Sequence, residues 1–371
     1  MKKILIDANP IVPYFVSGRI NGIGRTNIEL INALDQMDNT LPFKIELLTQ
    51  NIKGITAARL NTGFKVHHIF LRNNVKHNEW SRRLRLREFL SRYDLQHITH
   101  NYEVVTDPAR CIITIHDAMF FSYPESFLGA ERNRELIPRF AQRAKHIITI
   151  SENSKREIIK YMNIPEEKIT VIPWGINHKL LFPREISSNR WCGTKPYFTS
   201  VSCDIGRKNT ITLIKAYKEF AKRNPEHHLI LVWNNPSDEA LKLVEDPDLK
   251  NRIHFDSNLK NEELALLYAG ATATFFPSLY EGFGLPVLES MACGTPCVTC
   301  RNSSLEEVGG AAAIYVEPFD IDGMVNIMEN FENRKYDMQN LKAVSLSQAA
   351  KFTWEKCAES TVEVYKKCLE I

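Results

Sequence analysis

The chain has 371 residues, 44% hydrophobic and 25% charged, which is ordinary for a globular protein but longer than one core usually organises, so two domains are expected. A net charge of +3 is too small to argue for nucleic acid, and no apolar run approaches the length of a bilayer span. Eight cysteines scattered among hydrophobic neighbours suit reduced core thiols, and no signal-type segment precedes Ile4-Leu5-Ile6, so a cytoplasmic location is expected.

In chain order, the first half alternates short apolar or β-branched runs with helix-like segments. Strands are predicted at Ile4–Ile6, Ile45–Leu48, Val66–Phe70, Gln96–Thr99, Ile112–Ile115, Ile147–Ile150 and Val171–Ile172. The second half repeats the alternation with Tyr197–Val201, Leu229–Val232, Arg252–Phe255, Ala273–Phe276, Pro296–Val298 and Ile314–Tyr315, separated by periodic segments such as Ile211–Phe220 and Asn261–Tyr268. Alternation of this kind builds parallel sheets, so the class is α/β with two doubly wound, Rossmann-like domains. Between them, Gly175 to Pro196 is rich in Pro, Asn, Ser and Arg and has a linker's composition. The boundary is placed near Arg190: 1–190 form the first domain, 191–351 the second, and 352–371 an amphipathic helix that can pack on either. Open parallel sheets bind ligands at the carboxyl ends of their strands, which directs attention to loops and to the space between two such domains.

Several loops carry chemistry. Gly22-Ile23-Gly24-Arg25 lies between an early strand and the helix-like Asn27–Leu34, so its amides can approach phosphates, although a plain turn would look the same. The segment Trp80-Ser81-Arg82-Arg83-Leu84-Arg85-Leu86-Arg87-Glu88-Phe89-Leu90, continuing to Arg92, mixes arginines with apolar residues. It reads as a solvated helix packing one apolar stripe, as a contact with an anionic membrane surface, or as a trap for the pyrophosphate of a lipid-linked acceptor. His116 and Asp117 follow a buried-strand run; a core histidine satisfied by Asp117 is one reading, a ligand contact the other. Ser151-Glu152-Asn153-Ser154 has the pattern of an N-cap for the helix Lys155–Tyr161. Arg207 and Lys208 precede a helix start, where cations oppose the dipole and call for an anion nearby. Cys293, Cys297 and Cys300 fall across a helix end, turn and strand without a fourth ligand, so small core residues explain them better than zinc.

The densest signal is Glu281-Gly282-Phe283-Gly284-Leu285-Pro286-Val287-Leu288-Glu289. Its two glycines expose amides in a tight loop, Pro286 suits the first helical position, and Glu289 then falls in the first turn. A diphosphate at such a helix start meets unpaired amides and the positive end of the dipole. Glu289 can accept hydrogen bonds from ribose hydroxyls, and Glu281, ahead of the glycines, can reach a sugar ring.

Two Glu separated by seven residues resemble the paired-glutamate signature of the family 4 glycosyltransferases. Gly206-Arg207-Lys208-Asn209, Gly309-Gly310-Ala311-Ala312 with Pro318, and Pro173-Trp174-Gly175-Ile176-Asn177 resemble further landmarks of that family, as do, more faintly, Gly22-Ile23-Gly24-Arg25 and His116-Asp117. The sequence departs from the family at Val201-Ser202-Cys203-Asp204, where members often carry Gly-Arg. The resemblance implies the GT-B fold, two Rossmann-like domains facing across a cleft, and a retaining hexosyltransferase that needs no cofactor and no metal. It implies an acceptor side in the first domain and a donor side in the second. It assigns Glu289 to the donor ribose, Glu281 and His116 to the transferred sugar, and Lys208 with Arg207 to the diphosphate. Gly22, Gly24 and the amides of Gly282, Phe283, Gly284 and Leu285 complete the donor site, with His116, Glu281 and Lys208 as the catalytic set.

Similarity to mannosyltransferases of O-antigen and capsule assembly makes GDP-mannose the first expected donor, with UDP-hexoses behind it. The expected acceptor is a glycan, or one linked to polyprenyl pyrophosphate, at the inner face of the plasma membrane. Negative charge on the departing diphosphate would be met by preorganised cations and amides. With no carboxylate assured of a nucleophile's position, front-face attack is the expected route to retention. Two rivals stand beside this reading. One is a noncatalytic sugar-nucleotide-binding protein of the same fold; the other is a dehydrogenase, which would want a G-x-G-x-x-G after a strand that neither half shows.

Overall fold

The computed structural model describes residues 1–13, 22–52, 61–72, 74–101, 107–126, 129–201, 206–223, 225–247, 249 and 251–371. They divide into two compact units, Met1–Gly175 together with Trp354–Ile371, and Ile176–Thr353. The division thus falls at Gly175–Ile176, ahead of the compositional boundary near Arg190, because the early linker pairs with the end of its own unit: Ile176 bridges Thr353, and its amide donates to the Phe352 carbonyl.

The first unit holds seven parallel strands: β1 (Lys2–Asp7), β2 (Phe43–Gln50), β3 (Lys65–Ile69), β4 (Leu95–Ile98), β5 (Cys111–Thr114), β6 (His146–Thr149) and β7 (Ile169–Val171), in the order β3-β2-β1-β4-β5-β6-β7. Every residue of β4, β5 and β6 is buried, as expected of strands covered on both faces. The period of two sorts β1: Ile4 and Ile6 enter one cluster with Leu34 and Ile45, while Leu5 joins Leu48, Ile69 and Tyr93 on the other face. The helix Trp354–Leu369 packs here, with Trp354, Cys357, Ala358, Val362 and Tyr365 in the same cluster as Ile4. A polar anchor holds it in place, since His97 of β4 pairs through Nδ1 with the Tyr365 hydroxyl at 2.6 Å and through Nε2 with Thr114 Oγ1 at 2.8 Å.

The second unit has six parallel strands: β8 (Tyr197–Val201), β9 (His228–Val232), β10 (Ile253–Asp256), β11 (Ala273–Phe276), β12 (Cys297–Thr299) and β13 (Ile314–Tyr315), in the order β10-β9-β8-β11-β12-β13. Leu229 and Leu231 face the helices Thr210–Ala221 and Ile321–Glu332, whereas Ile230 and Val232 face the side of Leu264 and Leu267. In both sheets the strand order reverses once, at β1/β4 and at β8/β11. At such a point the two connections leave in opposite directions and open a crevice at the strand ends, where α/β proteins bind their ligands.

Candidate active site

The β8/β11 crevice gathers the residues of the second unit. The chain leaves β8 through residues 202–205, which lie outside the described set and include the departure noted at Ser202-Cys203-Asp204, and re-enters as the single turn Gly206–Lys208. Asn209, with φ of 57°, caps the helix Thr210–Ala221 from a left-handed conformation. Its side-chain amide donates to the carbonyls of Pro277 and Pro318, tying the helix start to the loops after β11 and β13.

Across from this turn, β11 delivers Pro277 to Gly284. Glu281 is 8% exposed, and three donors converge on its Oε1: Lys208 Nζ at 2.6 Å, Ser278 Oγ at 2.7 Å and Arg207 Nη1 at 2.9 Å. Arg207 also donates to the Tyr280 carbonyl at 2.6 Å, and Lys208 Nζ lies 4.9 Å over the Phe276 ring. Burial alone would raise the Glu281 carboxyl, but Lys208 and Arg207 outweigh it and hold the group below the ordinary carboxylate range. Glu281 is therefore anionic at neutral pH, suited to accepting a hydroxyl proton in a hydrogen bond rather than to donating a proton. The cations called for an anion near their helix start, and the structure supplies it from Glu281 in the same unit. Lys208 and Arg207 share this one carboxylate, so their own cluster keeps a surplus positive charge beside the glycine loop for a phosphate.

Serines that the sequence reading did not single out brace the glycine loop. Ser303 Oγ accepts from the Glu281 amide, and Ser304 Oγ donates to the carbonyls of Glu281 and Phe283. Gly284, at φ of +114°, is the N-cap of the helix Leu285–Ala292. Leu285 is accordingly the first helical residue and Pro286 the second, so Glu289 sits just beyond the first turn rather than within it. Glu289 is 2% exposed and accepts a hydrogen bond from the Tyr268 hydroxyl at 3.1 Å. The structure thus brings Arg207, Lys208, Glu281, Gly282, Phe283, Gly284, Leu285 and Glu289 into one unit around one strand-order reversal.

The other candidates lie in the first unit. His116 follows β5 and is 5% exposed, its amide donating to Asn101 Oδ1 and its ring set edge-on to Trp174 at 5.1 Å. Asp117 accepts from the Met119 amide with Oδ1, a bond two residues along the chain just ahead of the helix Met119–Ser122, whose N-cap is Ala118. Burial pushes the His116 imidazole down to about 3, against a hydrogen bond to the Thr99 backbone that works the other way; the ring is neutral at physiological pH. Among the described residues its Nδ1 takes no hydrogen bond. Gly22 and Gly24 do not form a loop: both lie in the helix Gly22–Met37, with Gly24 buried. Ser151 caps the helix Glu152–Met162 by accepting from the Ser154 amide.

The basic segment is not one helix. It breaks at Leu84 and Arg85, the latter at φ of 50°, into Val75–Arg83 and Leu86–Leu90. Trp80, Leu84 and Phe89 are 51%, 64% and 84% exposed, so they do not form a packed stripe; the side chains of Arg82 and Arg87 lie outside the described set. The Cys293, Cys297 and Cys300 thiols are buried and free, their pKa values raised by burial. No described helix is long and apolar enough to cross a membrane.

The whole chain superposes on sucrose-phosphate synthase from Thermosynechococcus elongatus with a TM-score of 0.77 at 17% identity, covering 100% of both chains. That likeness establishes the fold as GT-B. The model of "Glycosyltransferase Family 4" matches residues 20–180 and that of "Glycosyl transferases group 1" residues 182–351. Among curated proteins the chain is 30% identical to O-antigen chain mannosyltransferase B of Escherichia coli, over 69% of this chain and 70% of that one. It is 32% identical to O-antigen chain mannosyltransferase RfbU of Salmonella typhimurium, over 62% of this chain and 66% of the relative. The chain belongs to the family 4 glycosyltransferases, and it is a glycosyltransferase.

Proposed function

We propose that this chain transfers a hexose from a nucleotide sugar to a growing, lipid-linked surface glycan, with mannose from GDP-mannose as the first choice of donor. The observation that carries the reading is the β8/β11 crevice, where Lys208 and Arg207 stand over Glu281 beside the glycine-capped start of the helix Leu285–Ala292. The names of the O-antigen mannosyltransferase relatives support mannose and a surface glycan.

In this reading Lys208, Arg207 and the amides of Gly282 to Leu285 stabilise the charge developing on the departing diphosphate. These cations take the place of a divalent metal. Glu289 holds the donor ribose, and anionic Glu281 accepts from a hydroxyl of the transferred sugar. His116, neutral, binds the same sugar, and the amides of Gly22 and Gly24 approach the phosphates. The acceptor hydroxyl attacks the anomeric carbon from the face the diphosphate leaves; the anomeric C–O bond to phosphate breaks and the hydroxyl proton passes to the departing phosphate oxygen, so configuration is retained. The exposed Trp80, Leu84 and Phe89 among Arg83, Arg85 and Arg92 favour peripheral contact with an anionic membrane, at the cytoplasmic face where a lipid-linked acceptor sits.

Purified chain is incubated with GDP-mannose or UDP-hexoses and a polyprenyl-pyrophosphate-linked glycan, with and without EDTA, and the product is read by mass spectrometry and anomeric proton NMR. The reading expects an α-linked product from GDP-mannose, unchanged by EDTA. A β-linked product would overturn retention, loss in EDTA restored by a divalent ion would overturn metal independence, and no transfer from any donor would overturn the transferase assignment. Co-sedimentation with phosphatidylglycerol vesicles but not phosphatidylcholine ones, abolished by Trp80→Ser with Phe89→Ser, checks the membrane contact.

A further inference from the structure

We infer that Tyr268 is a positioning residue for donor binding, acting through Glu289; the inference rests on the reading that Glu289 holds the donor ribose. A carboxylate buried to 2% exposure in an α/β interior can face a ligand usefully only if its orientation is fixed. The Tyr268 hydroxyl donates to Glu289 Oε2 at 3.1 Å, from a side chain that is completely buried. Tyr268 itself is held from behind, because Thr295 Oγ1 donates to its backbone carbonyl at 2.6 Å. Ser290, next to Glu289, is fixed in turn by its hydroxyl bonds to Thr274 Oγ1 at 2.8 Å and to the Thr295 carbonyl at 3.0 Å. Two neighbouring residues on the helix Leu285–Ala292 are thus clamped to β11 and to the helix Asn261–Gly270, and the phenol sets which way the Glu289 carboxylate turns.

The test uses the full chain, with GDP and UDP each beside its 2′,3′-dideoxy analogue, titrated calorimetrically. Wild type is expected to bind one of the two diphosphates and to lose about tenfold in affinity when the ribose hydroxyls are removed, the worth of one charged hydrogen bond. Glu289→Gln should erase most of that ribose penalty. Tyr268→Phe keeps the buried ring and should shrink the penalty to about threefold or less, whereas a merely structural role would lower affinity for both members of a pair equally. Thr295→Val, which frees the Tyr268 carbonyl, should move the penalty in the same direction and serves if Tyr268→Phe melts early. An undiminished ribose penalty in Tyr268→Phe and Thr295→Val, with Glu289→Gln still erasing it, would overturn the inference and leave the Glu289 reading standing. A penalty that survives Glu289→Gln, or no binding of either diphosphate to wild type, would overturn that reading and the inference with it.

Discussion

Replacing Glu281 by Gln keeps the shape of the side chain and removes the charge that Lys208 and Arg207 face. At separations of 2.6 and 2.9 Å the gross attraction is about 6 kcal/mol per pair for an effective dielectric near 20, most of it offset by burial of the carboxylate. Breaking a buried pair from one side typically costs about 3–5 kcal/mol, and Gln retains an oxygen for Ser278 and both cations, so about 3 kcal/mol is expected here. For a unit of this size that lowers the melting temperature by about 6–12 °C. Because the folded carboxyl lies below its ordinary value of 4.5, its stabilisation is complete above that value and is lost as pH falls through the lower folded one. The gap between wild type and variant should therefore be full near neutrality and narrow progressively as pH falls below 4.5 towards the lower folded value. Inorganic pyrophosphate, added at one concentration, should raise the melting temperature of Glu281→Gln more than that of wild type, since it supplies the missing negative charge. Calorimetric melts across pH decide the matter. A loss under about 1 kcal/mol, or one equally large at low pH, would refute the view that the cations and Glu281 form one charged unit.

Three further outcomes follow from the same structure. Burial drives His97 and His116 down to about 3 and His146 to about 4. Below their ordinary value near 6.5 the unfolded chain takes up more protons than the folded one, so stability should fall as pH drops from about 6.5 towards 4, and His97→Gln should flatten that slope. Gly284→Ala forces a Cβ into φ of +114°, 2.9 Å from Leu305 Cδ2, and should cost about 1–3 kcal/mol in denaturant melts while weakening nucleoside diphosphate binding. Tyr365→Phe takes from His97 its 2.6 Å partner and should destabilise the first unit by about 1–3 kcal/mol, read as a shifted urea midpoint with unchanged m.

The sheets were legible because parallel strands covered on both faces, such as Cys111–Thr114 and His146–Thr149, leave continuous apolar runs that few other structures produce. The glycine loop at Glu281 was legible because its spacing and Pro286 describe a helix start directly. The pairing of Arg207 and Lys208 with Glu281 was not, since it depends on β8 lying beside β11, and strand order is not written in periodicity. Tyr268 escaped notice for a related reason: its partner lies on another helix, and in sequence it is one apolar-face residue among several. Gly22 and Gly24 looked like a loop because glycine disfavours helix interiors, but tertiary packing that buries Gly24 overrides that preference. The break at Arg85 has no local signal at all, because a left-handed arginine is what surrounding structure imposes rather than what arginine prefers.

The central claim is that the β8/β11 crevice binds a nucleotide sugar, and the most direct test is a panel of GDP-, UDP-, ADP- and dTDP-sugars scored by thermal stabilisation and slow hydrolysis in EDTA, beside Glu289→Ala and Lys208→Ala. Selective stabilisation by one sugar nucleotide with release of its diphosphate, both weakened in the two variants, is the predicted result. A folded wild-type chain indifferent to every donor, or one whose response survives both substitutions, would contradict it.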